Sequence, residues 1–415
     1  MAAAPDVIRF PEVGRPDVTV VMVTYNRWDL TREALRLLAE VTEARYEVVI
    51  VDNASTDGTL DELAHVSGAR ILRNSRNLGF GPATNQGAAM ARGRHLLLLN
   101  SDAWVRPGWL EPLIDVADAD AGVSAVASKL LYPDGRLQEA GSILWRDARV
   151  RQYGDGDVPN RAEYNFRRTV DYASAACLLV RRSAFIAVGG FDPRFAPVYC
   201  EDVDLCLALG AGPGRVVYQP RSVVEHVRGA SGSGGAHTDR IERNRRLLRA
   251  RWRPILDRRP PESWRVEPSA IVGGRDATAC ERVLVLTGPR PDADGTTEQR
   301  HLHSVVDAAA RRWPQARWTV ASLDGAPVTR PSALGDAGIE AVTGAFSWEA
   351  WLTGRRYHYG IVALADSRWG DGQLESMLSS TQPQAVRVRV TEPVDLGAVA
   401  SALGRPDPGI RASVR

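Results

Sequence analysis

From about Asp17 onward, unbroken apolar runs alternate with segments in which apolar residues recur every three or four positions. VTVVMVTY (Val18 to Tyr25) is a continuous, largely β-branched run, as expected of a strand covered on both faces of a parallel sheet. Leu30, Ala34, Leu37, Leu38 and Val41 then fall on one helical stripe. YEVVIVD (Tyr46 to Asp52) predicts a second strand, with ASTDGT as its turn. Leu60 to Val66 predicts a short helix, ARILRN a third strand, Gly81 to Arg92 a helix of small residues, and HLLLLNSD (His95 to Asp102) a fourth buried strand. This alternation predicts an α/β fold around a doubly wound, mostly parallel sheet with helices on both faces.

The pattern then loosens. VSAVASKLLY, GRLQEAGSILW and ACLLVRR read as strands joined by longer loops, Glu201 to Gly210 as a short helix, and RVVYQP as a strand. In the arginine-rich stretch DRIERNRRLLRARWRPILDRR, Leu247, Leu248 and Trp252 give one buried side. It therefore reads as a packed helix with solvated arginines rather than a surface for anionic lipid. RRPPESWRVEPSAIVGGRDATA has Pro, Gly and no periodicity, the composition of a linker. From Arg282 a second alternation begins: RVLVLT, a helix from Thr296 to Trp313, RWTVAS, YGIVALA and QAVRVRV. The expected division is a first domain over 17–257, a linker over 258–280, and a smaller Rossmann-like domain over 281–415.

A chain of 415 residues easily supports two such domains with buried cores. Its 52 basic and 50 acidic side chains leave a net charge of +2, which excludes a dedicated nucleic-acid binder and an acidic disordered tail. One lysine is present, Lys129, so nearly all the positive charge is arginine. Cys177, Cys200, Cys206 and Cys280 form no CxxC pair, and so few cysteines in so long a chain are no disulfide framework. The start, MAAAPDVIRFPEVGRP, lacks the apolar core of a signal peptide. No apolar run approaches the roughly 20 residues that span a bilayer. A cytoplasmic setting is expected, with peripheral contact at the inner face of the plasma membrane left open.

In open parallel sheets, ligands bind beyond the C-terminal ends of the strands. Those ends carry Thr24, Tyr25 and Asn26 on the first strand, Asp52, Asn53 and Ser55 on the second, and Asn100, Ser101 and Asp102 on the fourth. Asp52 and Asp102 should therefore converge at one edge. Each is also compatible with a plainer role, Asp52 as a turn residue and Asp102 as a helix cap.

Together, VTYN, VDNASTDGT, NLGFGPATNQG, LLLLNSDA and EDVDLC resemble the inverting, nucleotide-sugar-dependent glycosyltransferases of family 2 and GT-A fold. The likeness is strongest to rhamnosyltransferase-like enzymes of envelope polysaccharide synthesis. It spans roughly Asp17 to Ile255, with the motifs in the family's order. The resemblance implies that Thr24, Tyr25 and Asn26 line the nucleotide cleft and that Asp52 hydrogen-bonds the base. It implies that Asn53 and Ser55 support that loop, and that Asn77, Gly79, Asn85 and Ser101 help hold the nucleotide and orient the donor. Asp102 matches the aspartate that binds Mg²⁺ or Mn²⁺, and His226 a histidine that completes the metal site. Asp202, beside Glu201, matches the catalytic base. The implied partners are a nucleotide-diphosphate sugar, dTDP-rhamnose foremost, and a saccharide or lipid-linked saccharide acceptor.

This chain departs from the family in two places. Asn100-Ser101-Asp102 offers one carboxylate where many relatives have an Asp-x-Asp arrangement, and LALGAGPGRVVYQP replaces the usual step after EDVDLC. A nucleotidyltransferase would need a glycine-rich phosphate loop after the first strand, which VTYNRWDL lacks. A non-catalytic sugar-nucleotide sensor or scaffold would not need Asp102 and Asp202, yet both are present. In the smaller domain, GPRPDADGTTEQR faintly resembles the opening of one half of a GT-B glycosyltransferase. With one half only and no GxGxxG, that domain reads as a non-catalytic accessory. His301 and His303 read as surface residues.

Overall fold

The computed structural model describes residues 7–228, 235–262, 267–287, 306–311, 313, 315–322, 331–342, 347–365 and 372–389. The chain forms two units, Met1–Pro159 with Thr169–Arg259, and Asn160–Arg168 with Pro260–Arg415. The division near Arg259 falls close to the sequence boundary. The excursion Asn160–Arg168 has no signal in the hydrophobic pattern.

In the first unit the chain runs β1 (Val18–Thr24), α1 (Trp28–Val41), β2 (Tyr46–Asp52), α2 (Thr59–Leu63), β3 (Ala69–Arg73), α3 (Phe80–Ala89), β4 (His95–Asn100), β5 (Ala103–Val105), α4 (Glu111–Ala119) and β6 (Val123–Leu131). Short strands follow: β7 (Leu137–Glu139), β8 (Ser142–Leu144), β9 (Val150–Gln152) and β10 (Arg168–Val170). Then come β11 (Cys177–Arg181), α5 (Arg182–Ala187), α6 (Glu201–Gly210), β12 (Arg215–His226) and α7 (Gly235–Leu256). The main sheet has the order β10-β12-β6-β11-β4-β1-β2-β3, with β5 on β12 and β7 on β6. β1, β2, β3 and β4 are parallel, as the alternation requires, and β12 is parallel to β6. β11 is antiparallel to both of its neighbours, so the sheet is mostly rather than wholly parallel.

The two-residue period of β1 and β2 sends successive side chains to opposite faces. Val20, Met22 and Ile50 join Ala34, Leu35 and Leu38 of α1 in one core. Val21, Val49 and Val51 face α3, where a β-carbon on Gly87 would stand 2.6 Å from Val21 Cγ1. The small residues of α3 thus let it lie close on the sheet. Each fully buried Val, Leu or Ile adds about 1.5–3 kcal/mol, which fixes the register that sets the strand ends level.

β12 runs further than RVVYQP implied. Pro220 cannot donate to the ladder, and the register jumps between Gln219 and Val223 before pairing resumes through Glu225. The same strand then meets β5, with His226 opposite Ala103. α7 is kinked at Trp252, two residues before Pro254. Its Leu248 is buried, and Leu247 and Trp252 are half-buried.

The second unit has a wholly parallel sheet of order β15-β14-β13-β16-β17: β13 (Glu281–Thr287), β14 (Ala316–Ser322), β15 (Ile339–Val342), β16 (Ile361–Ala365) and β17 (Val386–Arg389). Val283 and Val285 belong to one core, Leu284 and Leu286 to another. Part of the stretch read as a linker is ordered here. The helix Pro268–Arg275 starts on a proline, where no intrahelical N–H is needed, and buries Val272 and Arg275. At the N-terminal ends of the strands lies a buried charge network. Asp276 takes Arg275 at 2.5 Å, Arg317 at 3.1 Å and His358 at 3.1 Å, and Glu340 takes Arg355 at 2.6 Å and Arg275 at 3.1 Å. GPRPDADGTTEQR, His301 and His303 lie outside the described residues.

Candidate functional site

The parallel register places Thr24 beside Asp52 and Val23 beside Asn100, so three strand ends share one edge. There the order reverses between β1 and β4, the position at which open α/β sheets hold ligands. The chain leaves β1 through Asn26 and Arg27, both at φ 58°. Asn26 N–H donates to Ser55 Oγ (2.7 Å) while Asn26 Oδ1 accepts from Thr56 N–H (2.7 Å), a reciprocal clamp between the first and second loops. Thr24 is sealed, its hydroxyl 2.9 Å from that of Thr31, and Tyr25 next to it is 47% exposed at the mouth. Asp52 is buried and closes its own turn by accepting from Ser55 N–H (3.3 Å).

Asn53 is the hub of the neighbouring loop. It donates to Asn77 Oδ1 (2.9 Å) and accepts from Asn74 Nδ2 (3.0 Å) and Leu78 N–H (3.1 Å). Gly79 has φ +88°, and a β-carbon there would stand 2.4 Å from Pro197 O, so only glycine lets this loop touch the segment leading to Glu201. Asn85 uses its amide on both backbone groups of Phe191 (2.8 and 2.9 Å), tying α3 to the turn over residues 189–193. Asn53, Asn77, Gly79 and Asn85 thus build the loops around the edge.

Asp102 follows β4 and is buried. The β5–β12 pairing brings His226 Nε2 to 3.3 Å from Asp102 Oδ1, and Asn100 Nδ2 lies 3.3 Å from the same nitrogen. Ser101 is half-buried between Asn100 and Asp102.

Glu201 and Asp202 open α6 from the side of β11. Asn100 N–H donates to Ala176 O (3.0 Å), and the adjacent Ala175 N–H bonds the Asp202 carboxylate. A short chain of contacts therefore joins the β4 end to Asp202. Asp202 also accepts from Tyr172 Oη–H (2.8 Å) and Val203 N–H (2.9 Å). Burial pushes its pKa up against those three hydrogen bonds. Glu201 is raised well above the carboxylate range by burial and by the charge of Asp202, and its Oε2 has no hydrogen-bond partner. Glu139 on β7 is held up to about 7 by burial, opposed by the bond from Ser174 N–H (3.0 Å).

α7 props this arrangement from outside. Buried Asn244 donates to the carbonyls of Phe195 (2.8 Å) and Tyr199 (2.8 Å), and Asp204 accepts from Trp252 Nε1–H (2.7 Å) and Arg251 (2.9 Å). Gln138, Glu139, Tyr172 and Asn244 were not singled out from the sequence. Tyr172 sits in a segment without periodicity, and Asn244 lies on the helical face of Leu248 and Trp252 but in no motif. Gln138 and Glu139 lie within a strand-like run but in no motif.

Among the described residues, no three or more His, Cys, Asp or Glu side chains are grouped to hold a metal ion. Asp102 and His226 offer two donor atoms 3.3 Å apart. Two neighbouring ligands on one ion with bonds near 2.1 Å stand about 3 Å apart, so the pair fits a cation whose other ligands are phosphate and water. Among the described residues, no helix is long and apolar enough to cross a membrane.

The profile of the family described as Glycosyl transferase family 2 matches residues 19–189. The uncharacterized protein y4gI of Sinorhizobium fredii (strain NBRC 101917 / NGR234) is 30% identical over 294 residues, 68% of this chain and 31% of that protein. The N-acetylglucosaminyl-diphospho-decaprenol L-rhamnosyltransferase of Mycobacterium tuberculosis (strain ATCC 25618 / H37Rv) is 33% identical over 230 residues, 50% of this chain and 75% of that enzyme. The chain thus spans less than a third of the first relative and three quarters of the second. Among solved structures, the mannosyltransferase PcManGT from Pyrobaculum calidifontis, in complex with GDP-Man and Mn²⁺, aligns over 72% of this chain and 82% of its own, at 21% identity and TM-score 0.42.

Proposed function

The chain belongs to glycosyl transferase family 2 and is a glycosyltransferase, and from that premise we propose that its first unit moves a sugar from a nucleotide-diphosphate donor with inversion, assisted by Mg²⁺ or Mn²⁺. The observation that carries this reading is the sharing of one sheet edge by Asp52, by the Asp102–His226 pair and, through Ala175 and Ala176, by Asp202. Rhamnose from dTDP-rhamnose is the first donor to try, and a lipid-linked saccharide the first acceptor, because the mycobacterial relative is a rhamnosyltransferase acting on such a lipid. The acceptor would be met at the inner face of the plasma membrane, in polysaccharide assembly.

In this reading Tyr25 and Asp52 take the nucleoside, the ring against the exposed phenol and the base against the carboxylate. Asp102 and His226 would hold the cation, which would supply positive charge against that growing on the diphosphate. Asp202 receives the proton of the acceptor hydroxyl as its oxygen bonds to C1 of the sugar and the C1–O bond to the diphosphate breaks. A single displacement inverts C1, so the second carboxylate of a retaining site is not needed. Burial raises the pKa of Asp202, which makes it a stronger base, and Tyr172 and the Val203 N–H fix its two oxygens in place.

A melting-temperature screen of nucleotide sugars with and without Mn²⁺ tests the donor and the metal together. Stabilisation by one donor only when Mn²⁺ is present is the expected result, through mass action on the folded state. No shift with any nucleotide sugar under either condition would overturn the donor assignment.

A further inference from the structure

We propose that Gln138 is a positioning residue that locks His226 in the Nδ1–H tautomer, so that the Nε2 electron pair faces a divalent cation together with the Asp102 carboxylate. This inference rests on the metal-assisted reading above and adds to it the group that makes His226 a ligand.

The hydrogen bonds fix the assignment. Gln138 Nε2 lies 2.9 Å from the backbone carbonyl oxygen of His226. Only the NH₂ end of an amide can donate to a carbonyl, so that contact sets which way the side chain is turned. The oxygen end then faces His226 Nδ1 at 2.7 Å, and an acceptor at that distance requires the proton to sit on Nδ1. Both contacts fall on one residue, so the ring cannot flip without breaking the shorter of them. Gln138 is fully buried on β7, which leaves water no room to replace it.

The other ring nitrogen is thereby left with its electron pair. Asn100 Nδ2, at 3.3 Å, is a donor suited to that pair. Asp102 Oδ1, also at 3.3 Å, is not, because two electron-rich atoms face each other there. A cation between them removes the conflict. Metal-bound histidines commonly give their second N–H to a carboxylate or carbonyl, which sets the tautomer and the ring angle. A neutral amide in that place adds no charge, so the pair carries a single negative charge and the cation keeps a positive surplus for the diphosphate.

The test uses the full chain and two readouts. In metal-free protein, long-range ¹H–¹⁵N correlations of His226, one of seven histidines and assigned by difference with His226→Asn, should show the Nδ1–H form. Gln138→Leu should give a tautomer mixture. Mn²⁺ uptake in the presence of UDP or dTDP, followed by the free Mn²⁺ EPR signal, should weaken by about 10–100-fold in Gln138→Leu. If Gln138→Leu does not fold, Gln138→Asn, one methylene shorter, should show the same two losses. Wild-type tautomer and wild-type Mn²⁺ affinity in the Leu or Asn variant overturn the proposal alone. Wild-type protein that shows the Nδ1–H form yet takes up no Mn²⁺ with either nucleotide overturns the metal reading, and the purpose given to Gln138 with it.

Discussion

In the first unit, Glu139 and Asp202 have hydroxyl and amide partners and Glu201 keeps one oxygen without a partner, while in the second, Asp276 and Glu340 are fully buried among Arg275, Arg317 and Arg355. The electrostatic outcome is opposite. Burial pushes the first three pKa values up, Glu139 to about 7. Burial would raise Asp276 and Glu340 too, but Arg275 with Arg317 and Arg355 holds Asp276 well below the usual range and Glu340 at about 2. A buried carboxylate matched by arginines is complete in itself and holds a sheet together. One left without a cation costs stability, and such costs concentrate where chemistry is done. The contrast agrees with the proposed division between a site that does chemistry and a network that holds a sheet together.

The largest effects break the contrast at its two ends. Asp202→Asn should lower sugar transfer by about 10²–10⁴-fold, the usual worth of a general base, while leaving the melting temperature equal or higher. Glu340→Ala should do the reverse. It removes the buried carboxylate that Arg275 and Arg355 share and should cost about 3–5 kcal/mol, read by urea unfolding of the second unit.

A pH titration sharpens it. Glu139 is raised from its ordinary 4.5 to about 7, so its contribution to stability is full below 4.5 and is lost as pH rises through 7. His358, pushed by burial from 6.5 down to about 4, and Glu340 at about 2 contribute fully above their ordinary values and lose it as pH falls. Between pH 7.5 and 5, hydrogen-exchange protection factors should therefore rise in β7 and fall in β16, which follows His358, while β15, which holds Glu340, should lose protection only below pH 4.5. Glu139→Gln should remove the first trend, worth on the order of 2–3 kcal/mol. The smallest expected effect is Asn244→Ala. Leaving the carbonyls of Phe195 and Tyr199 unpaired should cost about 1–2 kcal/mol and raise KM more than it lowers kcat.

How much of this was legible differs between strands and contacts. β1, β2 and β4 declare themselves as apolar runs, and Thr24, Asp52 and Asp102 follow from strand ends alone. His226 was legible as a residue but not as a strand residue, because Pro220 masks the continuation of β12. Gln138 and His226 are 88 positions apart and meet only because β7 pairs with β6 and β12 with both β6 and β5. Tyr172 reaches Asp202 from a loop with no period to read. The second unit's network hides in a segment with a linker's composition, since Arg275 and Asp276 look like solvated charges until three strands close over them.

If the Asp102 edge of the first unit transfers sugar with a cation's help, the donor's nucleoside diphosphate must leave in the same reaction. Release of nucleoside diphosphate from a panel of nucleotide sugars, with a lipid-linked saccharide acceptor, tests it directly. Wild-type protein with Mn²⁺ should turn over one donor, and both EDTA and Asp102→Ala should abolish that turnover. Equal turnover in Asp102→Ala, or in wild type stripped of metal, would contradict the account.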